Sequence, residues 1–179
     1  MLLACLGSRE ATADDAALWR ALRTPGHVAI MRHAVAPGTG DPAGFKLGDC
    51  GTQRNLSDAG RKQARRIGAR FRAQGIRGAE VYSSQWCRCL DTAALLDLGP
   101  VKALPALNSF FSNAESGDGQ VKALRQWLAD RQGPGLAILV THQVNITALT
   151  GIYPGSGEIV VFRAMDGAAA KVLGTIRSD

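Results

Sequence analysis

Short, continuous apolar runs alternate along this chain with longer stretches whose apolar residues recur every third or fourth position. The first pattern suits strands buried on both faces, and the second suits amphipathic helices. DDAALWRALR sets Leu18 and Leu22 beside Trp19 on one face and predicts a short helix ended by Pro25-Gly26. HVAIM, starting at His27, predicts a buried strand. LSDAGRKQARRIGARFRAQG offers Ser57 as an N-cap, aligns Ala64, Ile67 and Phe71, and stops at Gly75. AEVYSS predicts a second strand, WCRCLDTAALLDLG a helix that buries Leu90, Ala94 and Leu95 and ends at Gly99, and VKAL a third strand. A loop from about Pro105 to Gly119 leads into QVKALRQWLADRQG, where Val121, Leu124 and Leu128 form a helical stripe. LAILVTH, Leu136 to His142, is the strongest strand signal, a run suited to the centre of a parallel sheet. VNITALTG predicts a short helix, and EIVVFRAMDGAAAKVLGTI a hairpin turning at Asp166-Gly167.

This alternation predicts an α/β layered fold with a mainly parallel sheet and the C-terminal hairpin at one side. In such sheets, sites form beyond the carboxyl ends of the strands. Arg32-His33 leave the first strand, and Ser83-Ser84 leave the second with Arg88 one turn further on. Thr141-His142 close the central strand, with Gln143 and Asn145 opening the next helix. Two of the three histidines and two arginines are therefore expected at one edge of the sheet.

Composition narrows the picture. A chain of 179 residues, 46% of them hydrophobic, can build one core, and residues 14–179 are expected to form a single domain. The net charge of +6 favours anionic partners. Its basic residues concentrate in GRKQARRIGARFR, where a solvated helix face is the plain explanation, and no interleaving of basic and aromatic residues points to nucleic acid. No stretch is apolar for the ~18 residues a membrane-spanning helix needs. The opening MLLACLGSREATADD resembles the tail of a secretory signal, and LLAC resembles a lipobox before a lipidated bacterial cysteine, here Cys5. Residues 1–13 are thus expected to be a leader or signal remnant, with the periplasm as destination and the cytoplasm as the alternative. An oxidising compartment would allow a bridge from Cys50 to Cys87 or Cys89. Paired C-x-x-C spacing is lacking, so a zinc site is not expected.

Arginines and histidines gathered without a carboxylate cluster suit a dense anion. A guanidinium fork grips two phosphate oxygens, and neighbouring positive charge keeps an imidazole neutral and able to attack phosphorus. MRHA, with Arg32 and His33, resembles the Arg-His-Gly signature of the histidine phosphatase superfamily, with Ala34 in the usual glycine place. LSDAGRKQA, VYSSQWCRCLDTA and VTHQVNI resemble its later landmarks in the family's order. The short chain and the His142-Gln143 pair place the resemblance in the compact branch 1.

The resemblance implies a phosphoglycerate-mutase-like three-layer α/β/α sandwich and a phosphomonoester hydrolase working through a phosphohistidine, without metal or organic cofactor. By the same resemblance His33 is the nucleophile, Arg32, Arg54 and Arg88 bind phosphoryl oxygens, and His142 steadies the transferring group. The family's general-acid carboxylate is missing where Asn108 and Ser109 stand. Glu115 is the first replacement candidate, ahead of Asp118 and Asp41. His27, Trp86 and Trp127 are expected to be structural, while Phe110 and Phe111 suit either core or pocket wall. The small phosphorylated substrate is open, phosphorylated heptose being one option. The alternatives are a mutase-type phosphotransferase and a phosphate-binding or signalling module with little turnover.

Overall fold

The computed structural model describes residues 14–163 and 170–178. The expected leader, Cys5 and the Asp166-Gly167 turn lie outside the described residues. In chain order the elements are α1 (Asp15–Leu22), β1 (His27–Arg32), α2 (Asp58–Ala73), β2 (Glu80–Ser83), α3 (Cys87–Leu96), β3 (Val101–Ala103), α4 (Gly117–Asp130), β4 (Ala137–Thr141), α5 (Gln143–Thr150), β5 (Ile159–Arg163) and β6 (Lys171–Ile176). The strands form a sheet in the order β3-β2-β4-β1-β5-β6. β3, β2, β4 and β1 run parallel, while β5 and β6 add the antiparallel edge.

Alternate residues of the central strands feed two cores. Ala29 and Met31 of β1, with Ile138 and Val140 of β4, face α1, α2 and α3 through Trp19, Phe71 and Leu96. Val28, Ile30 and Leu139 face the other side, where Leu124 of α4 and Ile146 of α5 complete the packing. The result is the three-layer α/β/α sandwich. The α3 prediction needs correction: Cys89, Thr92, Ala93 and Leu96 are buried, whereas Ala94 is exposed and Leu90 and Leu95 are half-buried. The helix turns this face inward because Arg88 and Thr92, polar and buried, have partners at the sheet end. It also stops earlier than Gly99, at Asp97 in the left-handed conformation.

α2 holds its basic residues outward, and Arg61, Arg70 and Arg72 pair with Asp91, Asp15 and Asp97. Its N-terminal turn grips the backbone that follows β1. Ser57 caps the helix through Gly60 N–H, its own N–H donates to the Val35 carbonyl at 3.1 Å, and Gln63 Oε1 accepts the Val35 N–H at 3.0 Å. Gly60 makes this approach feasible, since a Cβ there would lie 2.0 Å from the Val35 oxygen. Gly60→Ala is therefore expected to destabilise the protein by about 2–3 kcal/mol, the scale of overpacking, and thermal unfolding measures it. No helix among the described residues is long and apolar enough to cross a membrane.

Candidate active site

The ladder between β1 and β4 brings Arg32 level with Thr141, and one further bond, His33 N–H to the Thr141 carbonyl at 2.9 Å, carries it past the strand end. His33 and His142 therefore leave adjacent strands together, with ring centroids 5.6 Å apart and planes near perpendicular. Both rings are buried. His33 Nδ1 lies 2.8 Å from the Ala34 carbonyl. A carbonyl can only accept, so the ring proton sits on Nδ1 and Nε2 keeps a lone pair. That lone pair meets Arg88 Nε, which donates to it at 3.2 Å. Burial drives the imidazole down to about 3, opposed by the Ala34 bond and reinforced by Arg88, Arg32 and Arg54. His33 is thus neutral across the ordinary pH range, with Nε2 unprotonated and held by Arg88.

The ring is held from behind. Ala34 N–H donates to Thr92 Oγ1 at 3.0 Å, and that hydroxyl donates to the Arg88 carbonyl at 2.6 Å. A single threonine thereby couples the strand end that carries His33 to the helix that carries Arg88.

His142 caps the start of α5. Its Nε2 lies 2.8 Å from Ser84 Oγ, and Nδ1 has Arg88 Nη2 at 3.4 Å. A guanidinium only donates, which assigns the proton to Nε2 and leaves Nδ1 as the acceptor. The Ser84 hydroxyl then donates a hydrogen bond to Asn108 Oδ1 at 3.3 Å. Burial first, then Arg88 and His33, push the His142 imidazole well below its ordinary range.

His33, Arg88 and His142 line a cavity of about 160 Å³ with Arg32 and Arg54 among its walls. Arg32 donates from Nη1 to the Pro154 carbonyl at 3.3 Å, yet its buried Nε has no partner among the described residues. Arg54 is braced by the Gly40 carbonyl at 2.6 Å and by the Ala36 carbonyl. Three guanidinium groups around one small cavity, one of them with a buried N–H lacking a partner among the described residues, suit a compact anion. A family description, the histidine phosphatase superfamily (branch 1), matches residues 28–116, which carry Arg32, His33, Arg54 and Arg88.

The chain belongs to the histidine phosphatase superfamily, branch 1. No curated protein matches it by sequence. Solved structures share its fold. The protein histidine phosphatase SixA complexed with tungstate superposes with a TM-score of 0.60 at 18% identity, over 85% of this chain and 97% of that one. Phosphoglycerate mutase from Thermus thermophilus gives 0.57 at 16% identity, over 86% and 99%. Phosphoserine phosphatase from Entamoeba histolytica, in complex with 3-phosphoglyceric acid, gives 0.59 at 15% identity, over 84% and 96%.

The carboxylates of this chain are not placed as the sequence suggested. Glu115, the first candidate for a proton donor, is exposed on the short 3-10 turn Ala114–Ser116, and neither it nor Asp118 on α4 lines the cavity. The turn is drawn away because Phe110 packs onto Gly117 at the start of α4. Asn108, where the family's carboxylate was expected, spends its amide on Ser84, on the Gln85 N–H at 2.9 Å and on the Gln85 side chain at 2.8 Å. Asp41 is the carboxylate in the cavity wall. Its oxygens take Arg88 Nη1 at 2.6 Å and Nη2 at 3.1 Å, with Trp86 Nε1 at 2.9 Å. Burial pushes the Asp41 carboxyl up, but the bonds from Arg88 and Trp86 outweigh it and hold the group below the ordinary carboxylate value. Asp41 is therefore an ionised counter-charge in this structure, with no proton to give.

Sequence reasoning took Trp86 for packing alone. Its ring does stack on Phe45 at 5.0 Å and meets His142 edge-on at 5.3 Å, while its indole N–H orients Asp41. Trp127 packs against Tyr82 at 4.6 Å. Phe110 fills the interior side of its loop and Phe111 stands at the cavity. Gln63 and Thr92 carry no functional expectation in the sequence; a polar residue at an inward position on a helix that faces a strand end is the signal that marks them.

The open choice of disulfide resolves to Cys50–Cys87, leaving Cys89 as a free buried thiol among the described residues, pushed by burial up to about 12. The bridge joins the segment carrying Gln53 and Arg54 to the residue before Arg88. It closes a loop with a sequence separation of 37, worth about 4 kcal/mol in the chain-entropy account. Reductant is expected to lower the melting temperature of the wild type and to leave a Cys50→Ser/Cys87→Ser variant unchanged.

Proposed function

We propose that the chain is a phosphomonoester hydrolase that transfers the phosphoryl group to His33 Nε2 and then to water. The observation that carries this reading is the fixed tautomer of His33, a neutral imidazole with Nε2 unprotonated, 3.2 Å from Arg88 Nε, in a cavity that Arg32, Arg54 and Arg88 also line; attack requires Nε2 to exchange that bond for the phosphorus. Nε2 attacks phosphorus as the bond to the leaving oxygen breaks, and that oxygen departs with the electron pair. Water then attacks the phosphohistidine, Nε2 leaves with its pair, and the water's proton passes to solvent or to the released phosphate. Arg32 and Arg88 bind the equatorial oxygens, with Arg54 behind them.

For His142 to donate to a phosphoryl oxygen, its proton must move to Nδ1, the nitrogen facing Arg88. Ser84 supports this by turning its hydroxyl from Asn108 to Nε2, since both lie within hydrogen-bond reach. The ionised state of Asp41 points to substrates whose leaving group departs without protonation. An aryl phosphate is therefore expected to turn over at least about 10²-fold faster than a simple alkyl phosphate, the usual contribution of a general acid. The test is metal-free steady-state hydrolysis of both esters with mass spectrometry of acid-labile phosphate on His33. A phosphoryl adduct on His33 supports the hydrolase; tight phosphate binding with no adduct would mean a binding module instead. The Cys50–Cys87 bridge suits an oxidising compartment such as the periplasm.

A further inference from the structure

Among the described residues three large hydrophobic side chains are exposed, Leu47, Phe111 and Tyr153, and two of them, Phe111 at 56% and Tyr153 at 74%, border the cavity that holds His33. Their rings face water, while their backbones are held. Phe111 N–H donates to Ser109 Oγ at 3.2 Å, and its neighbour Phe110 is wedged against Gly117. Tyr153 stands between Ile152, whose carbonyl accepts from Thr147 Oγ1 at 2.8 Å, and the buried Pro154, whose carbonyl accepts from Arg32. Two aromatic faces are thus mounted on fixed supports at the mouth of a cationic well.

The remaining wall favours a flat guest. The turn Gly38-Thr39-Gly40 brings one side chain, that of Thr39, to this wall, and a Cβ on Gly40 would touch the Phe111 ring at 3.9 Å. Sugar hydroxyls would call for free acceptors, but Asp41, the carboxylate of this wall, is bound to Arg88.

We propose that Phe111 and Tyr153 form a leaving-group subsite for a planar ring, so that the substrate is a small molecule carrying its phosphoryl group on, or one atom from, an aromatic or heteroaromatic ring. This rests on the reading of the cavity as a phosphoryl site. Rings attract one another in offset or edge-on arrangements beyond what area burial gives. A heteroatom conjugated to such a ring also leaves more easily than an alkoxide, which matches a site whose carboxylate is already paired.

Three phosphonates that resist hydrolysis isolate the ring from the chemistry: ethylphosphonate, cyclohexylmethylphosphonate and benzylphosphonate, titrated calorimetrically into the full chain. Benzylphosphonate is expected to bind about tenfold more tightly than ethylphosphonate, with the cyclohexyl compound between them. Phe111→Ala and Tyr153→Ala are each expected to bring the benzyl-to-ethyl ratio close to one, with melting temperatures near wild type because both side chains are exposed. Equal binding of benzyl and ethyl compounds, equal binding of benzyl and cyclohexyl compounds, or a ratio that survives both substitutions would overturn the subsite. Absence of binding by all three would overturn it together with the phosphoryl site. The expected ranking without any phosphoryl adduct on His33 would leave the subsite standing and remove the hydrolase reading.

Discussion

His33→Ala is expected to abolish turnover, by on the order of 10⁵-fold, the scale on which removal of a covalent nucleophile acts. Arg32, Arg54, Arg88 and His142 would still hold phosphate, so the variant should bind orthophosphate and fail only in bond making. Residual activity within tenfold of wild type, with no adduct in the native protein, would show that His33 is not the nucleophile. The substitution also carries a signature in stability. His33 folds with its imidazole lowered from 6.5 to about 3, so between those values the unfolded chain binds a proton that the native protein refuses. Stability contributed by the neutral ring is complete above about pH 6.5 and drains away as pH falls towards 3. His142 adds to the same slope, since its imidazole is lowered as well. His33→Ala is expected to flatten the decline of melting temperature across that window. An unchanged slope would mean that the ring titrates normally in the native protein.

The sheet and its site residues were legible where local pattern and final environment agree. LAILVTH and HVAIM are apolar at every position because both of their faces are covered, and they became the adjacent central strands β4 and β1. Ser57 capped α2 as its chemistry requires. The arginines and histidines converged because parallel strands carry their carboxyl ends to one edge. What escaped was whatever depends on loop conformation. Residues 34–57 lack periodicity, so nothing in the sequence said that Asp41 would reach across to Arg88, or that Cys50 would meet Cys87 in preference to Cys89. Glu115 and Asp41 are alike as carboxyls in loops; only the course of the backbone separates an exposed turn from a cavity wall. On α3 the periodicity misled, because Arg88 and Thr92 occupy inward positions that a hydrophobic count assigns to solvent. The motif around Gly60 and Gln63 has a family counterpart but no evident purpose in the sequence; in the structure the helix holds Val35, two residues after His33.

Arg88→Ala is expected to lower kcat/KM by about 10²–10³-fold, the loss typical of one preorganised donor to a developing oxyanion. Its paired test is Asp41→Asn. The Arg88 fork is closed by Asp41 in the structure, with side chains only 4% and 14% exposed, so a phosphoryl dianion using the same fork must displace a bidentate carboxylate. Neutralising Asp41 leaves the guanidinium without its counter-charge, which destabilises the protein, on the order of 3 kcal/mol for a buried pair broken on one side. An anion bound in its place would restore much of that loss. Orthophosphate is therefore expected to raise the melting temperature of Asp41→Asn more than that of wild type, and to bind the variant about tenfold more tightly. The pH dependence follows the sign of the shift. Asp41 is held below its unfolded value of 3.8, so its contribution to stability is present above that value and lost as pH falls through the lower folded one, and Asp41→Asn removes this acid step. In the Arg88→Ala background the Asp41 substitution should no longer affect phosphate binding, because the two effects act through one contact. Equal stabilisation of wild type and Asp41→Asn by phosphate would mean that the anion bypasses the Arg88 fork. Arg32, whose Nε has no partner among the described residues, would then be the main phosphate ligand.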